Sequence, residues 1–302
     1  MVAALTLALS GATGFVGAHL LDIALGEGHA VRALTRRPQP PRADVTWVEG
    51  ALDDAAALAR LCAGADAVIH VAGVINADAA GFEAGNVNGT AAVLAAAEGG
   101  EVTRFVHVSS LAAREPGLSL YGASKARSET LVKASPLSSA IVRPPAVYGP
   151  GDRETLELFR MAKRGLVLLP PAGRLSLIHV DDLARLLLAL AARDEALVVE
   201  PDDGRHRGWT HAEFGQALGR AVGRKVRTLS APASLLRLAA RADMFVRGAT
   251  AKLTPDRAAY FCHPDWTVAP DRAAPAELWQ ARIATEQGLA DTARWYEAQG
   301  WL

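Results

Sequence analysis

Tyr121 and Lys125 stand four residues apart in Leu120-Tyr121-Gly122-Ala123-Ser124-Lys125, so a helix through this stretch puts both on one face. An ammonium beside a phenol favours the phenolate. Lys125 is therefore expected to lower the pKa of Tyr121 and make it an acid or base usable near neutrality. In isolation such a pair is an ordinary exposed helical face, and it gains meaning only from its company. That company begins at the amino terminus. An apolar run of strand length, residues 5–10, ends in Gly11, Gly14 and Gly17, and an apolar helical pattern follows at once. Strand, glycine loop and helix start together form an anion site, because glycines let the backbone approach a pyrophosphate at which first-turn N–H groups point. Gly11, Thr13, Gly14, Phe15, Val16 and Gly17 are its candidate contacts. A second strand, residues 30–35, ends in Thr35-Arg36-Arg37, where an NAD-selective site would carry a carboxylate. A guanidinium holds a 2′-phosphate that a carboxylate would repel. Arg36 and Arg37 therefore favour NADP(H), with NAD(H) possible; a solvated turn continued by Pro38 and Pro40 is the plainer reading of the same residues.

The elements that must position these residues follow one rhythm. Strands are expected at residues 45–49, 67–71 and 104–109, with helices at 15–25, 54–62, 89–97 and 120–134. Alternation of this kind specifies a parallel sheet covered by helices on both faces, and such sheets bind ligands beyond the carboxyl ends of their strands. Gly50-Ala51-Leu52-Asp53, His70-Val71-Ala72-Gly73 and Ser109-Ser110 all fall on that edge. His70 and His107 lie within strands and read as core or cofactor-adjacent residues.

The 302 residues carry 32 basic and 32 acidic side chains and are half hydrophobic. Neutral net charge gives no reason to expect nucleic acid or an anionic membrane as partner. The two cysteines, Cys62 and Cys262, show no metal spacing and suit a reducing cytoplasm, so no metal is expected and the location is expected to be cytoplasmic. No segment has the uninterrupted apolar length of a membrane span.

Taken in order, Gly11-x-x-Gly14-x-x-Gly17, Asn86-Val-Asn-Gly-Thr90, Val108-Ser-Ser110, Tyr121-x-x-x-Lys125, Arg143-Pro-Pro-Ala-Val-Tyr-Gly-Pro150 and His179-Val-Asp-Asp182 resemble the extended short-chain dehydrogenase/reductase family of NAD(P)-dependent epimerases, dehydratases and dihydroflavonol-type reductases. The resemblance spans essentially the whole chain. It implies that Ser110 binds the reacting oxygen, Tyr121 transfers the proton, Lys125 holds the nicotinamide ribose and Asn86 supports a water-linked proton path. Ser109 is the competing serine. It also implies cofactor contacts at Ala51, Leu52, Val71, Ala72, Gly73, Pro144 and Val147, besides Tyr121 and Lys125. One departure stands out: Gly50-Ala51-Leu52 lacks the aspartate that the family often places at the adenine.

The implied fold is α/β, a Rossmann-type doubly wound parallel sheet over residues 1–143 and 174–194, with a smaller, mostly carboxyl-terminal α/β substrate lobe over 144–173 and 195–302. Asp181 or Asp182 is expected to cap a helix. In the second lobe, residues 197–200 and 226–229 read as strands and 210–222 as a helix capped by Thr210. Residues 232–246 read as a helix with Leu235, Leu236, Leu238 and Phe245 on its apolar side. Arg237, Arg241 and Arg247 would suit a membrane-surface helix, but such a stripe more often packs into its own domain, and that is the expectation here. Trp279, Trp295 and Trp301 read as packing. The carboxyl-terminal pattern Leu253-Thr-Pro-Asp256 with Asp265-Trp266 is similar to dihydroflavonol-reductase-like and hydroxysteroid-dehydrogenase-like members, which implies an apolar small-molecule ketone or alcohol. The expected activity is NADP(H)-dependent interconversion of carbonyl and alcohol. The alternatives are a nucleotide-sugar epimerase or dehydratase with retained NAD and, less favoured, a non-catalytic NADP(H)-binding regulator. A homodimer through the helices at 89–97 and 124–134 is possible.

Overall fold

The computed structural model describes residues 4–248, 251 and 253–302. In chain order its elements are β1 (Thr6–Ser10), α1 (Phe15–Gly26), β2 (Ala30–Thr35), β3 (Val45–Glu49), α2 (Ala55–Cys62), β4 (Ala67–His70), α3 (Ala79–Phe82), α4 (Gly89–Gly99), β5 (Arg104–Val108), α5 (Leu120–Ala134), β6 (Ser138–Val142), β7 (Ala146–Tyr148), α6 (Leu156–Lys163), β8 (Leu166–Leu169), β9 (Arg174–Leu175) and β10 (Leu177–His179). There follow α7 (Val180–Ala191), β11 (Leu197–Val199), β12 (Trp209–Thr210), α8 (His211–Ala221), β13 (Arg227–Ser230), α9 (Ala233–Arg247), α10 (Pro255–Phe261), β14 (Asp265–Trp266) and α11 (Thr285–Ala298). A π-helical turn at Glu83–Asn88 joins α3 to α4.

The chain divides into two compact units, residues 1–144, 180–201 and 272–280 against residues 145–179, 202–271 and 281–302. The first is built on a seven-stranded parallel sheet of order β11-β6-β5-β4-β1-β2-β3. This is the Rossmann-type, doubly wound arrangement expected from the sequence. Its strand order reverses between β1 and β4, the switch point beyond which such sheets bind ligands. Strand alternation sorts the core. Ala8, Val68, Phe105 and Ile141 turn to the face covered by α2, α4 and α5, where they cluster with Leu58, Leu61, Val93 and Val132. On the other side α1 packs along α7.

The boundary differs from the expected one at residues 174–179, 195–201 and 272–280, the last of which belong to the first unit. Residues 174–179 belong to the second unit because β10 pairs with β7 and β9 with β12 and β14. Residues 195–201 belong to the first, because β11 adds to the sheet edge beside β6. Asp181 and Asp182 also correct the sequence reading. The helix α7 already starts at Val180, so both sit inside its first turn, where a carboxylate complements the helix dipole without acting as the cap. Asp181 instead meets His19 at 2.6 Å, and the carbonyl of Asp182 accepts from the Trp279 indole at 3.0 Å.

The second unit holds its own core of Tyr148, Phe159, Phe214, Leu218, Leu289 and Tyr296. Thr210 caps α8 as expected, in a reciprocal box with Glu213. Trp295 and Trp301 pack edge to face in the same cluster. The helix α9 forms as expected but does not bury its stripe. Leu236 is half-buried and Ala240 buried, whereas Leu235, Leu238 and Phe245 are exposed. Among the described residues, no helix is long and apolar enough to cross a membrane.

Candidate active site

The first unit brings its candidate residues to the carboxyl edge of the sheet. At the switch point two loops touch. A Cβ on Gly11, which has φ +80°, would lie 2.7 Å from the amide nitrogen of Ala72, and one on Gly17 would lie 2.0 Å from the carbonyl oxygen of Gly11. Both positions exclude any side chain, and this is why strand, loop and helix can close so tightly. Gly14 begins α1 without a side-chain cap, so the first-turn amides of Phe15, Val16 and Gly17 meet no capping side chain. Gly14 and Thr13 lie at the surface. An open helix start without a capping side chain fits a pyrophosphate.

Thr35 ends β2 buried, its hydroxyl donating to the carbonyl of Arg37 at 2.7 Å and accepting from the Arg37 amide. That turn leaves Arg36 and Arg37 exposed, and among the described residues neither guanidinium has a hydrogen-bond or ion-pair partner. Ala51 and Leu52 are half-buried after β3. Leu52 reaches under α4, where a Cβ on Gly89 would lie 2.7 Å from its Cδ1. Val71 and Ala72 are half-buried and Gly73 is exposed beyond β4. Pro144 is buried and its carbonyl accepts from Leu111 at 3.1 Å. Val147 lies in β7 of the second unit.

Tyr121, Ser110 and Lys125 converge on α5, whose start is fixed by Ser119 accepting from the Gly122 amide. The Ser110 side chain acts on the Tyr121 phenol and draws its pKa down. The Lys125 ammonium, 5% exposed, donates to the Val108 carbonyl at 2.7 Å. An ammonium has three N–H donors. Burial lowers the Lys125 pKa to about 8 against the opposing pull of Glu129. The sign for Tyr121 corrects the sequence expectation. Burial raises its pKa, the Ser110 side chain opposes that rise, and Lys125 does not reverse it. The phenol is therefore protonated at neutral pH.

The two serines separate cleanly. Ser109 donates to Glu129 at 2.7 Å, and Glu129 also accepts from Nε and Nη2 of Arg143, both at 2.7 Å. Arg143 reaches Glu200 at 3.3 Å and Arg114 reaches it at 3.1 Å. Ser109 is thus consumed by a buried charge network, and Ser110 is left to Tyr121. The sequence reading singled out Arg143 only within its proline motif and missed Glu129 and Glu200. The available signal was Glu129, an acidic residue four positions after Lys125 on one face of α5.

Asn86 is 1% exposed and sits on the π-helical turn, a local irregularity frequent at functional sites. Its amide clamps the backbone of Val74, accepting from the nitrogen at 2.8 Å and donating to the oxygen at 3.0 Å, and also donates to Ser124 at 2.9 Å. Ser124 in turn donates to the Tyr121 carbonyl at 2.8 Å. The side chain therefore ties the loop after β4 to the first turn of α5. A Cβ on Gly73 would lie 3.0 Å from Asn86 Oδ1 and 3.9 Å from Lys125 Nζ, so the absent side chain opens the space beside both groups. Below the site, His70 bridges Ser10 at 2.6 Å and Thr90 at 3.1 Å and stacks on His107 at 5.5 Å. Burial, with Lys125 nearby, lowers the His70 pKa to about 3 and that of His107 well below its usual range. Both are neutral core groups.

Comparison with known proteins identifies the family. The model of the NAD dependent epimerase/dehydratase family matches residues 7–200, which include the glycine loop, the Ser110–Tyr121–Lys125 group and β6. The chain belongs to that family. It is an NAD(P)-dependent oxidoreductase of the extended short-chain dehydrogenase/reductase type. It is 40% identical to the ceramide reductase of Caulobacter vibrioides over 98% of this chain and 95% of that protein. It is 31% identical to a putative dihydroflavonol 4-reductase of Synechocystis over 58% of this chain and 60% of that protein. Among solved structures, MoeE5 in complex with UDP-glucose and NAD superposes with a TM-score of 0.76 at 23% identity, covering 97% of this chain and 99% of that one. At that identity the likeness is one of fold.

Proposed function

We propose that the protein is an NADP(H)-dependent reductase that converts a ketone on an apolar, ceramide-class lipid to the alcohol, with Tyr121 as proton donor. The observation that carries this reading is a Tyr121 phenol that burial keeps protonated, with the Ser110 side chain acting on it. A protonated phenol is the form needed to give a proton to an oxygen gaining negative charge. The ceramide class is supported by 40% identity, across nearly both full lengths, to a protein named ceramide reductase.

The glycine loop from Gly11 to Gly17, with Thr13, Phe15 and Val16, would hold the cofactor pyrophosphate. Ala51 and Leu52 would flank the adenine, Arg36 and Arg37 would take a 2′-phosphate, and Val71, Ala72, Gly73 and Pro144 would border the nicotinamide half. The bound nicotinamide supplies the hydride. The chain's own residues do the rest. Ser110 Oγ orients the substrate oxygen and shares its developing charge. The Tyr121 hydroxyl passes its proton to that oxygen, leaving a phenolate. The Lys125 ammonium offers ribose-directed N–H groups and a positive charge that favours this phenolate. Asn86, through Ser124, holds the first turn of α5 against the loop after β4.

The test is consumption of reduced nicotinamide by the purified protein, presented with a ketone-bearing ceramide in detergent micelles or with UDP-glucose. Oxidation of NADPH by the lipid ketone and none by the sugar nucleotide is expected. NAD retained through purification, together with interconversion of UDP-sugars, would overturn the reading in favour of an epimerase.

A further inference from the structure

The helix α9 turns an apolar face outward. Leu235, Leu238, Ala239, Ala242, Phe245 and Val246 recur at offsets of three, four, seven, ten and eleven, which places them on one arc of a helix. Phe245 is 93% exposed, Val246 78%, Leu238 63% and Leu235 55%. The opposite side carries Leu236, Ala240 and Asp243 and packs on α10. Large side chains scattered singly over a surface need no explanation, but a continuous stripe of this kind marks a contact surface.

Charge says what the contact is. From Arg224 to Arg247 the chain carries Arg224, Lys225, Arg227, Arg237, Arg241 and Arg247 against the carboxylate of Asp243 alone. Asp243 is turned to the inner side, where it receives the Leu253 amide at 2.9 Å and meets Arg247 at 3.2 Å. Arg237 and Arg241 are exposed and border the apolar arc on one side. Net charge hides this basic stretch, because the charges cancel over the chain and not along it. Just ahead of α9, β8 and β13 form a two-stranded ribbon with Leu168 opposite Leu229, both about half exposed at 53% and 55%. An apolar helical arc bordered by arginines, with no outward carboxylate on the helix, is the pattern of a helix lying in a membrane interface. A second copy of the chain is a poorer occupant, since a two-fold contact through this face would bring Arg237 and Arg241 towards their own copies.

We propose that α9 docks the protein onto the surface of an anionic lipid bilayer, with Phe245, Leu238 and Leu235 entering the interface and Arg237 and Arg241 meeting the headgroups. The proposal rests on α9 and not on the reductase reading, so its test uses binding without turnover. The full-length protein is floated with vesicles of phosphatidylglycerol and phosphatidylcholine, or of phosphatidylcholine alone. Binding to the anionic vesicles should be at least about tenfold tighter, and the double charge reversal Arg237→Glu with Arg241→Glu should remove that advantage, because basic residues near the surface are what the anionic headgroups attract. Leu238→Ser with Phe245→Ser should weaken binding by about tenfold or more, because both side chains would lose their burial in the interface. These positions are exposed, so thermal midpoints should not move. In a separate variant, Phe245→Trp, the indole emission gained over the unmodified protein should shift to the blue on anionic vesicles. Three results overturn the proposal: no flotation of the unmodified protein, flotation indifferent to both double variants, or an unshifted emission from the Phe245→Trp variant. Dissociation of a dimer by the serine variants, without vesicle binding, would assign the face to a second copy.

Discussion

Replacing Glu129 with Gln keeps the volume of the side chain and deletes its charge. Burial alone would push this carboxyl up, yet hydrogen bonds from Arg143 and Ser109, with Arg143 and Lys133 nearby, hold it below the usual carboxylate range. Glu129→Gln therefore leaves a bidentate guanidinium facing a neutral amide. Removing one partner of a buried pair costs about 3–5 kcal/mol. Arg143 keeps Glu200 at 3.3 Å and retains partial solvent access, so the lower end applies, about 3 kcal/mol of stability. For a chain of this size that is a fall in Tm of roughly 5–10 °C. The informative effect is at Lys125. Burial brings its pKa down to about 8, and Glu129 is the charge that raises it. Without that charge the ammonium deprotonates at lower pH. If Lys125 must be cationic for turnover, the alkaline limb of kcat/KM near pH 8 moves to lower pH in Glu129→Gln while the rate near pH 6 changes little. The assay is kcat/KM against pH with saturating NADPH, paired with thermal unfolding. A lowered Tm with an unmoved alkaline limb would refute the electrostatic argument and leave Glu129 a purely structural brace.

Three further outcomes are expected. Tyr121→Phe removes the proton donor and should cut turnover by about 100-fold or more while NADPH affinity, read by fluorescence titration, stays within about threefold; retained turnover sinks the assignment. Arg36→Glu should weaken NADPH by about 10- to 100-fold, the value of a lost charge-assisted hydrogen bond, and NADH far less; equal effects on both would show that Arg36 does not read a 2′-phosphate. The third concerns acid. His70 has a folded pKa of about 3 against 6.5 when free, so the unfolded chain binds the extra proton between those values and stability falls as pH drops through that window. By pH 5 the loss from His70 is about 2 kcal/mol, and His70→Gln should flatten that part of the curve of unfolding free energy against pH. A variant with an unchanged acid slope would place the titrating group elsewhere.

What the sequence made legible was local. The glycine triplet, the four-residue spacing of Tyr121 and Lys125 and the strand and helix rhythm each lie within a single βα turn, and their geometry follows from backbone rules alone. What escaped it depends on distant partners. The strand β11 looked like part of the carboxyl-terminal lobe because it is three residues long and its partner β6 lies far back in the chain. The sign of the Tyr121 shift was misread because spacing reveals a neighbour's charge but not how deeply both groups are buried. The face of α9 was misjudged for a related reason: amphipathicity marks a stripe without saying which surface covers it.

Ser109 and Ser110 show where the border between the two kinds of information falls. Successive side chains of an extended strand point to opposite faces. Phe105 packs under α2, α4 and α5, and His107, two residues on, meets Ser128 of α5 at 3.0 Å. The same alternation carries Ser109, which still bonds backbone to Val142 at 2.7 Å, to that covered face, and there it finds Glu129. Ser110 is still extended, so the alternation turns it away from that covered face. Its hydroxyl accepts from the Ala112 amide at 3.2 Å and is left beside Tyr121. Period-two counting from Phe105 therefore separates a bracing serine from one open to a substrate, without reference to any relative. What counting cannot supply is the carboxylate that makes the brace hold, because Glu129 reaches Ser109 only once α5 has docked and Arg143 and Glu200 have closed the network behind it.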